Sequence, residues 1–112
     1  MFDTGVLEDA LRRHRERLER ERVKLLGVVA LCLKTMRKRY GIKEAYIIGS
    51  LLIPHRWSDR SDIDVAVSGC SENLLDIMKE LEEATGREVD VLDLERHPSR
   101  ESIVKKGMRI YG

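Results

Sequence analysis

The sequence predicts an α+β fold in which one long N-terminal helix precedes a small sheet with short helices. Two observations support this prediction: apolar residues recur at helical spacing through the first 40 residues, and short strand-like and helix-like segments alternate after them. The chain has 112 residues, enough for one domain and too few for two. We therefore expect a single domain over 1–112, with the helix at 1–40 and an α/β body at 41–112.

The composition excludes several classes of protein. Lys and Arg number 21 against 20 Asp and Glu, which argues against a polycation that coats nucleic acid. Aromatic residues make up 4%, so we expect no stacking platform for single-stranded bases. The longest apolar run, Leu25 to Leu33, is too short to span a membrane. Two cysteines fit a reducing cytosol rather than a disulfide framework, and we expect a cytoplasmic protein.

Charge is distributed unevenly along the chain. Residues 1–40 hold 11 basic and 6 acidic residues, whereas 41–112 hold 10 basic and 14 acidic residues. An apolar stripe of the predicted helix comprises Leu7, Leu11, Leu18, Leu25, Val29, Cys32 and Met36. Over 25–36 this stripe predicts packing on the body. Over 8–24 two interpretations stay open: a solvated helix, or a surface that docks a partner protein or a second copy.

The body predicts strands and helices in alternation. Strands are expected at 44–49, 62–67, 87–94 and 108–111, and helices at 71–85 and 98–106. Ser71 is the expected N-cap of the first of these helices, and Gly86 follows its end.

Carboxylates occupy unusual positions in two of these strands. Side chains alternate along a strand, so Asp62 and Asp64 share the face opposite to the apolar Ile63 and Val65. Asp90 occupies the same open face of the following strand. If these two strands pair, three carboxylates converge, and their repulsion requires a cation, a proton or a wide separation. A structural alternative is that Asp62 caps a turn and Asp64 faces water.

Gly49 and Ser50 follow the first strand directly. A glycine allows close backbone approach to a phosphate, and a serine offers a hydroxyl and an N–H group. The combination of a strand, Gly-Ser, 11 further residues and Asp-Ile-Asp on a strand is more specific than either motif alone.

With these motifs the chain resembles the minimal nucleotidyltransferases of the DNA polymerase beta superfamily, small proteins encoded beside HEPN-domain toxins. The matching segments are Ile47–Ser50, Ser61–Val67, Val89–Val91 and Ile103–Tyr111. The resemblance implies a small mixed sheet with helices on one face. It also implies an antitoxin that transfers AMP from ATP to a tyrosine of its HEPN toxin partner.

The resemblance also implies roles for single residues. Asp62 and Asp64 would hold two Mg²⁺ ions, and Asp90 would share the metal beside the attacking hydroxyl. Gly49 and Ser50 would bind the β- and γ-phosphates of ATP. In-line attack on the α-phosphorus would release pyrophosphate, the reaction that two-metal sites promote.

The loop after Ser50 departs from the family's compact pattern. Bulky residues follow, so a catalytically weak module that binds a nucleotide, or a toxin by occlusion, is the alternative function. His55, Arg56 and Arg60 could supply positive charge for the triphosphate or could be exposed loop residues. Trp57 could contact the base or fill the edge of the core. A coiled-coil homo-oligomer through the first helix is a weaker alternative, because its heptads are interrupted.

Overall fold

The computed structural model describes residues 4–112. Helix α1, Thr4–Tyr40, runs through 37 residues and contributes most of the molecule's 60 Å length. The remaining elements follow in alternation: β1 Glu44–Ile48, a 3-10 turn Gly49–Leu52, β2 Ile63–Ser68, α2 Leu74–Thr85, β3 Val89–Asp93, α3 Arg100–Lys106 and β4 Met108–Tyr111. Within residues 4–112 the predicted elements are therefore confirmed in type and order, with ends that differ by up to three residues, and positions 1–3 of the predicted first helix lie outside the described residues.

The four strands form one mixed sheet in the order β3-β2-β1-β4. Strand β1 pairs antiparallel with both β2 and β4, and β2 pairs parallel with β3. The parallel pair places the Cα of Asp64 opposite that of Asp90. The mixed sheet that the resemblance implies is thus confirmed.

The core lies between one face of the sheet and helices α1 and α2. Its members on β2 are the three alternate apolar residues Ile63, Val65 and Val67, all fully buried. The buried face of α1 includes Leu33, which the predicted stripe omitted, whereas Cys32 lies half-buried at its edge. The packing expected over 25–36 is confirmed. Leu7 and Leu11 are 45% and 50% exposed, so the apolar stripe extends beyond the body.

The opposite face of the sheet is apolar at one end and acidic at the other. Tyr46 and Ala66 form a small buried cluster with Leu94, and Ile103 of α3 packs against it. This short helix therefore covers the second face, so the expectation of helices on one face holds for α1 and α2 but not for α3. The reason is that Tyr46 and Ala66 must be removed from water, a requirement that Asp64, farther along the same face, does not share.

Helix α2 begins later than expected. It starts at Leu74 after Asn73, so the prediction that Ser71 is its N-cap was wrong. The Ser71 hydroxyl instead donates to Asp93 Oδ2 at 2.7 Å, and Asp93 Oδ1 also accepts the N–H of Glu95 at 3.0 Å. Asp93 therefore caps the turn after β3. Within residues 4–112, no helix has the length and apolar character needed to cross a membrane.

Candidate active site

Three aspartates meet on the open face at its acidic end. Asp62 precedes β2, Asp64 lies within it, and Asp90 lies on the parallel neighbour β3. Asp62 and Asp90 are exposed, and Asp64 is half-buried between them. The convergence that strand alternation predicted is therefore present, and it depends on β2 and β3 being neighbours in register.

The central carboxylate of this group resists ionisation. Burial raises the pKa of Asp64, and the negative charges of Asp90 and Asp62 raise it further. A divalent cation bound beside Asp64 would stabilise its ionised form and oppose this rise.

Gly49 allows the chain to pass directly against this carboxylate. Its φ is +75°, and a Cβ added there would lie 2.6 Å from Asp64 Oδ2. Any other residue would be strained in backbone and would clash with the carboxylate. The structure therefore shows that Gly49 is required for Asp64 and the Gly-Ser segment to lie side by side.

Ser50 follows within the 3-10 turn, and its carbonyl accepts the N–H of Ile53 at 3.1 Å. Its side chain is half-buried, and its hydroxyl has no hydrogen-bond partner among residues 4–112. A short, unpaired donor next to an acidic cluster can bind an oxygen of a phosphate that bridges to a metal.

The residues of the loop beyond Ser50 separate into exposed and buried groups. The side chains of Arg56 and Arg60 are exposed, and within 4–112 neither makes an ion pair. Trp57 is 4% exposed and belongs to the main core cluster, with the guanidinium of Arg87 over its ring at 4.5 Å. Trp57 therefore fills the edge of the core, as one of its two interpretations predicted.

Sequence reasoning missed the residues that hold this loop. Arg22 and Glu19 of α1 contact Leu51 and His55, and Arg87 contacts Ser58 and Ser61. The only available signal was Arg22 itself, which interrupts the apolar stripe between Leu18 and Leu25.

A groove of about 1010 Å³ runs beside this contact along α1, and none of the three aspartates lines it.

The donor set of the acidic cluster fits a hard divalent cation. Within residues 4–112, no group of three or more His, Cys, Asp or Glu side chains is arranged to hold a metal ion. Mg²⁺ characteristically takes one or two carboxylates and completes its shell with water and substrate phosphates. Asp62 and Asp64, with the cradle at Gly49 beside them, match that requirement.

The fold and the sequence assign this chain to a known family. Residues 32–112 match the model of the polymerase beta nucleotidyltransferase domain, and the chain belongs to this family. No curated protein sequence matches the chain significantly.

Solved structures of toxin–antitoxin pairs share the fold. One, with AMP-PNP, has a TM-score of 0.62 and 20% identity, covering 74% of this chain and 73% of that one. A mutant MntA–HpeT pair gives 0.60 and 18%, with 74% and 72% covered. A tri-AMPylated HEPN toxin of Shewanella oneidensis in complex with its MNT antitoxin gives 0.50 and 21%, with 75% and 72% covered.

Proposed function

We propose that this chain transfers AMP from ATP to a hydroxyl of a partner protein, as the antitoxin of a HEPN toxin–antitoxin pair. The observation that carries the proposal is the convergence of Asp62, Asp64 and Asp90 beside Gly49. Membership of the nucleotidyltransferase family supports the reaction type. The complex of a similar fold with a tri-AMPylated HEPN toxin supports the acceptor class.

In this proposal each residue has a distinct task. Asp62 and Asp64 would hold two Mg²⁺ ions, and the charge of those ions would stabilise the attacking and leaving oxygens. Gly49 lets the β- and γ-phosphates approach the backbone, and the Ser50 hydroxyl donates to a phosphate oxygen. The exposed Arg56 and Arg60 add positive charge beside the triphosphate.

The proposed reaction is a single displacement at phosphorus. The acceptor hydroxyl oxygen bonds to the α-phosphorus of ATP, and its proton passes to Asp90. The bond between the α-phosphorus and the bridging oxygen breaks, and pyrophosphate leaves with that electron pair. The partner protein then carries AMP through a phosphodiester bond.

The test uses the purified full chain, ATP labelled at the α-phosphate, Mg²⁺ and a co-expressed HEPN-domain protein as acceptor. We expect label on the acceptor, and a loss of at least ~1000-fold in Asp62→Asn and Asp64→Asn. Glu88→Gln is the matched control, because Glu88 is an exposed carboxylate two residues from Asp90. Its rate should stay within about twofold.

A second candidate function is inhibition by occlusion. It is favoured by the loop after Ser50, where the buried Leu51 and Trp57 replace the compact pattern of the family. A stable complex with the HEPN protein, no label on it and unchanged inhibition in Asp64→Asn would support occlusion and reject AMP transfer.

A further inference from the structure

A buried arginine of α1 holds the segment that follows Gly49 and Ser50. Arg22 is 7% exposed, and its Nη1 donates to the carbonyl oxygen of Leu51 at 2.8 Å. Leu51 lies in the 3-10 turn, where the last carbonyl groups have no partner within the turn. Arg22 therefore supplies, from a distant helix, a hydrogen bond that the turn cannot make for itself.

Glu19 extends this contact to the next part of the loop. Its carboxylate accepts hydrogen bonds from Nε and Nη2 of Arg22 at 2.7–3.1 Å. Its Oε2 also accepts the N–H of His55 at 2.9 Å. His55 has a φ of +63° and is the one non-glycine residue with positive φ in the described part of the chain. The hydrogen bond to Glu19 thus holds the loop in a backbone conformation that it would otherwise disfavour.

The position of Arg22 is one at which packing alone would select an apolar residue. It lies four residues after Leu18 and three before Leu25, on the face that buries Val29. Replacing a buried ion pair with apolar groups is often neutral or stabilising, so stability alone does not explain an arginine there. A guanidinium does specify geometry, because its donors have fixed directions.

The contact also gives a role to a part of the chain that the family does not account for. The family match begins at residue 32, so Glu19 and Arg22 both precede it. Their partners Leu51 and His55 lie inside it, directly after Gly49 and Ser50.

We propose that Arg22, through Glu19, is a positioning residue that holds the 49–55 segment in the shape that receives the β- and γ-phosphates of a nucleoside triphosphate. The inference rests on the proposed function for the identity of the ligand. It assigns Glu19 and Arg22 of α1 to the support of the nucleotide site, through Leu51 and His55.

The test compares the full-length protein with its Arg22→Met variant, in which an apolar chain of similar length replaces the guanidinium. The dissociation constants of Mg·AMP-PNP and of AMP are measured by calorimetry. We expect AMP-PNP to bind about 10-fold more weakly and AMP to change by less than about twofold, because only AMP-PNP has β- and γ-phosphates. General unfolding would weaken both ligands.

Arg12→Met is the matched control, because Arg12 forms an exposed i,i+3 pair with Asp9 on the same helix. Its two dissociation constants should equal those of the wild type. If Arg22→Met does not fold, Glu19→Gln keeps the size of the side chain while removing its charge. It should weaken AMP-PNP by about 3-fold. Equal AMP-PNP binding by the wild type and the folded variant would overturn the proposal.

Amide hydrogen exchange distinguishes a failure of the positioning role from a failure of the proposed function. The amide of His55 should exchange at least ~10-fold faster in Arg22→Met than in Arg12→Met. If the wild type binds no AMP-PNP and this exchange is faster, the nucleotide function fails while the loop-holding role survives. If the exchange is unchanged, the positioning role fails whatever the nucleotide result.

Discussion

Two groups of charged side chains flank the loop between β1 and β2, and they differ in how their charges are compensated. The acidic cluster is Asp62, Asp64 and Asp90. The paired cluster is Glu19, Glu21, Arg22 and Arg87. In the first, burial and then the like charges of Asp90 and Asp62 raise the pKa of Asp64, whereas in the second Arg22 and the N–H of His55 lower the pKa of Glu19 to about 2. The paired cluster therefore stabilises the fold beside the loop, whereas the acidic cluster carries electrostatic repulsion at the place where chemistry is proposed.

Within the paired cluster, Arg87 contacts the largest number of other residues. Its Nη1 donates to Glu21 at 2.9 Å, and its Nη2 donates to the carbonyl oxygens of Ser58 and Ser61 at 2.8 and 2.7 Å. The guanidinium also stacks on Trp57. One side chain therefore ties α1, the loop and the edge of the core together just before Asp62.

The largest change in stability is expected from Arg87→Met, which disrupts the paired cluster. The change removes three hydrogen bonds and a cation–π contact, so we expect a loss of about 2–3 kcal/mol in the free energy of unfolding. Urea denaturation measures this loss. Arg96→Met is the control, because Arg96 is 82% exposed and lies 3.9 Å from Asp93, and it should cost less than about 0.5 kcal/mol. Equal effects would contradict a special role for the paired cluster.

Asp64→Asn should stabilise the fold, whereas Arg87→Met should destabilise it. Since the folded-state pKa of Asp64 lies above its ordinary value, the folded protein binds more protons than the unfolded chain between those two values. Stability therefore falls as pH rises through that window and stays lower above it. The asparagine removes this loss, so we expect Tm to rise by roughly 2–5 °C at pH 7.

The pH dependence of this gain is its control. Below both pKa values the wild-type carboxyl is neutral too, so the difference in Tm should vanish toward about pH 3. Glu88→Gln, on an exposed carboxylate of the same face, should show no gain at either pH. A wild type that is more stable than Asp64→Asn at pH 7 would show that the cluster is not repulsive.

The smallest effect on stability is expected from the exposed cations of the loop. Arg56→Ala and Arg60→Ala should each change the free energy of unfolding by less than about 0.5 kcal/mol, because neither side chain is paired within residues 4–112. Each should nevertheless weaken Mg·AMP-PNP binding by about 3- to 10-fold if it neutralises a phosphate. Unchanged calorimetric affinity in both variants would identify them as loop residues without a phosphate role.

The acidic site was predictable because its signals are local. Alternation along β2 assigns Asp62 and Asp64 to one face, and the same rule assigns Asp90 on β3. The Gly-Ser motif after β1 is equally local, since the positive φ of Gly49 is a property that few other residues tolerate. What alternation left open was whether β2 and β3 are neighbours, and the resemblance to a family supplied that expectation.

The supports of the loop were not predictable in the same way. Arg22 is a charged residue within the apolar stripe between Leu18 and Leu25, yet it is buried because Glu19 and the Leu51 carbonyl lie within hydrogen-bond reach. Ser71 is a residue type that often caps helices, yet its hydroxyl donates to Asp93, 22 residues later in the chain. In both cases a partner distant in sequence outweighed a local preference.

By itself the sequence determined the order of helices and strands, the apolar face of each and the type of chemistry available at the ends of β1 and β2. These follow from backbone sterics and from the periods of hydrophobic residues, which act over a few positions. Only the tertiary structure decided that α3 covers the second face of the sheet and that α1 holds the loop beside Ser50. Those outcomes depend on burial and hydrogen bonding between residues far apart in the chain, and such contacts exist only once the sheet and helices have packed.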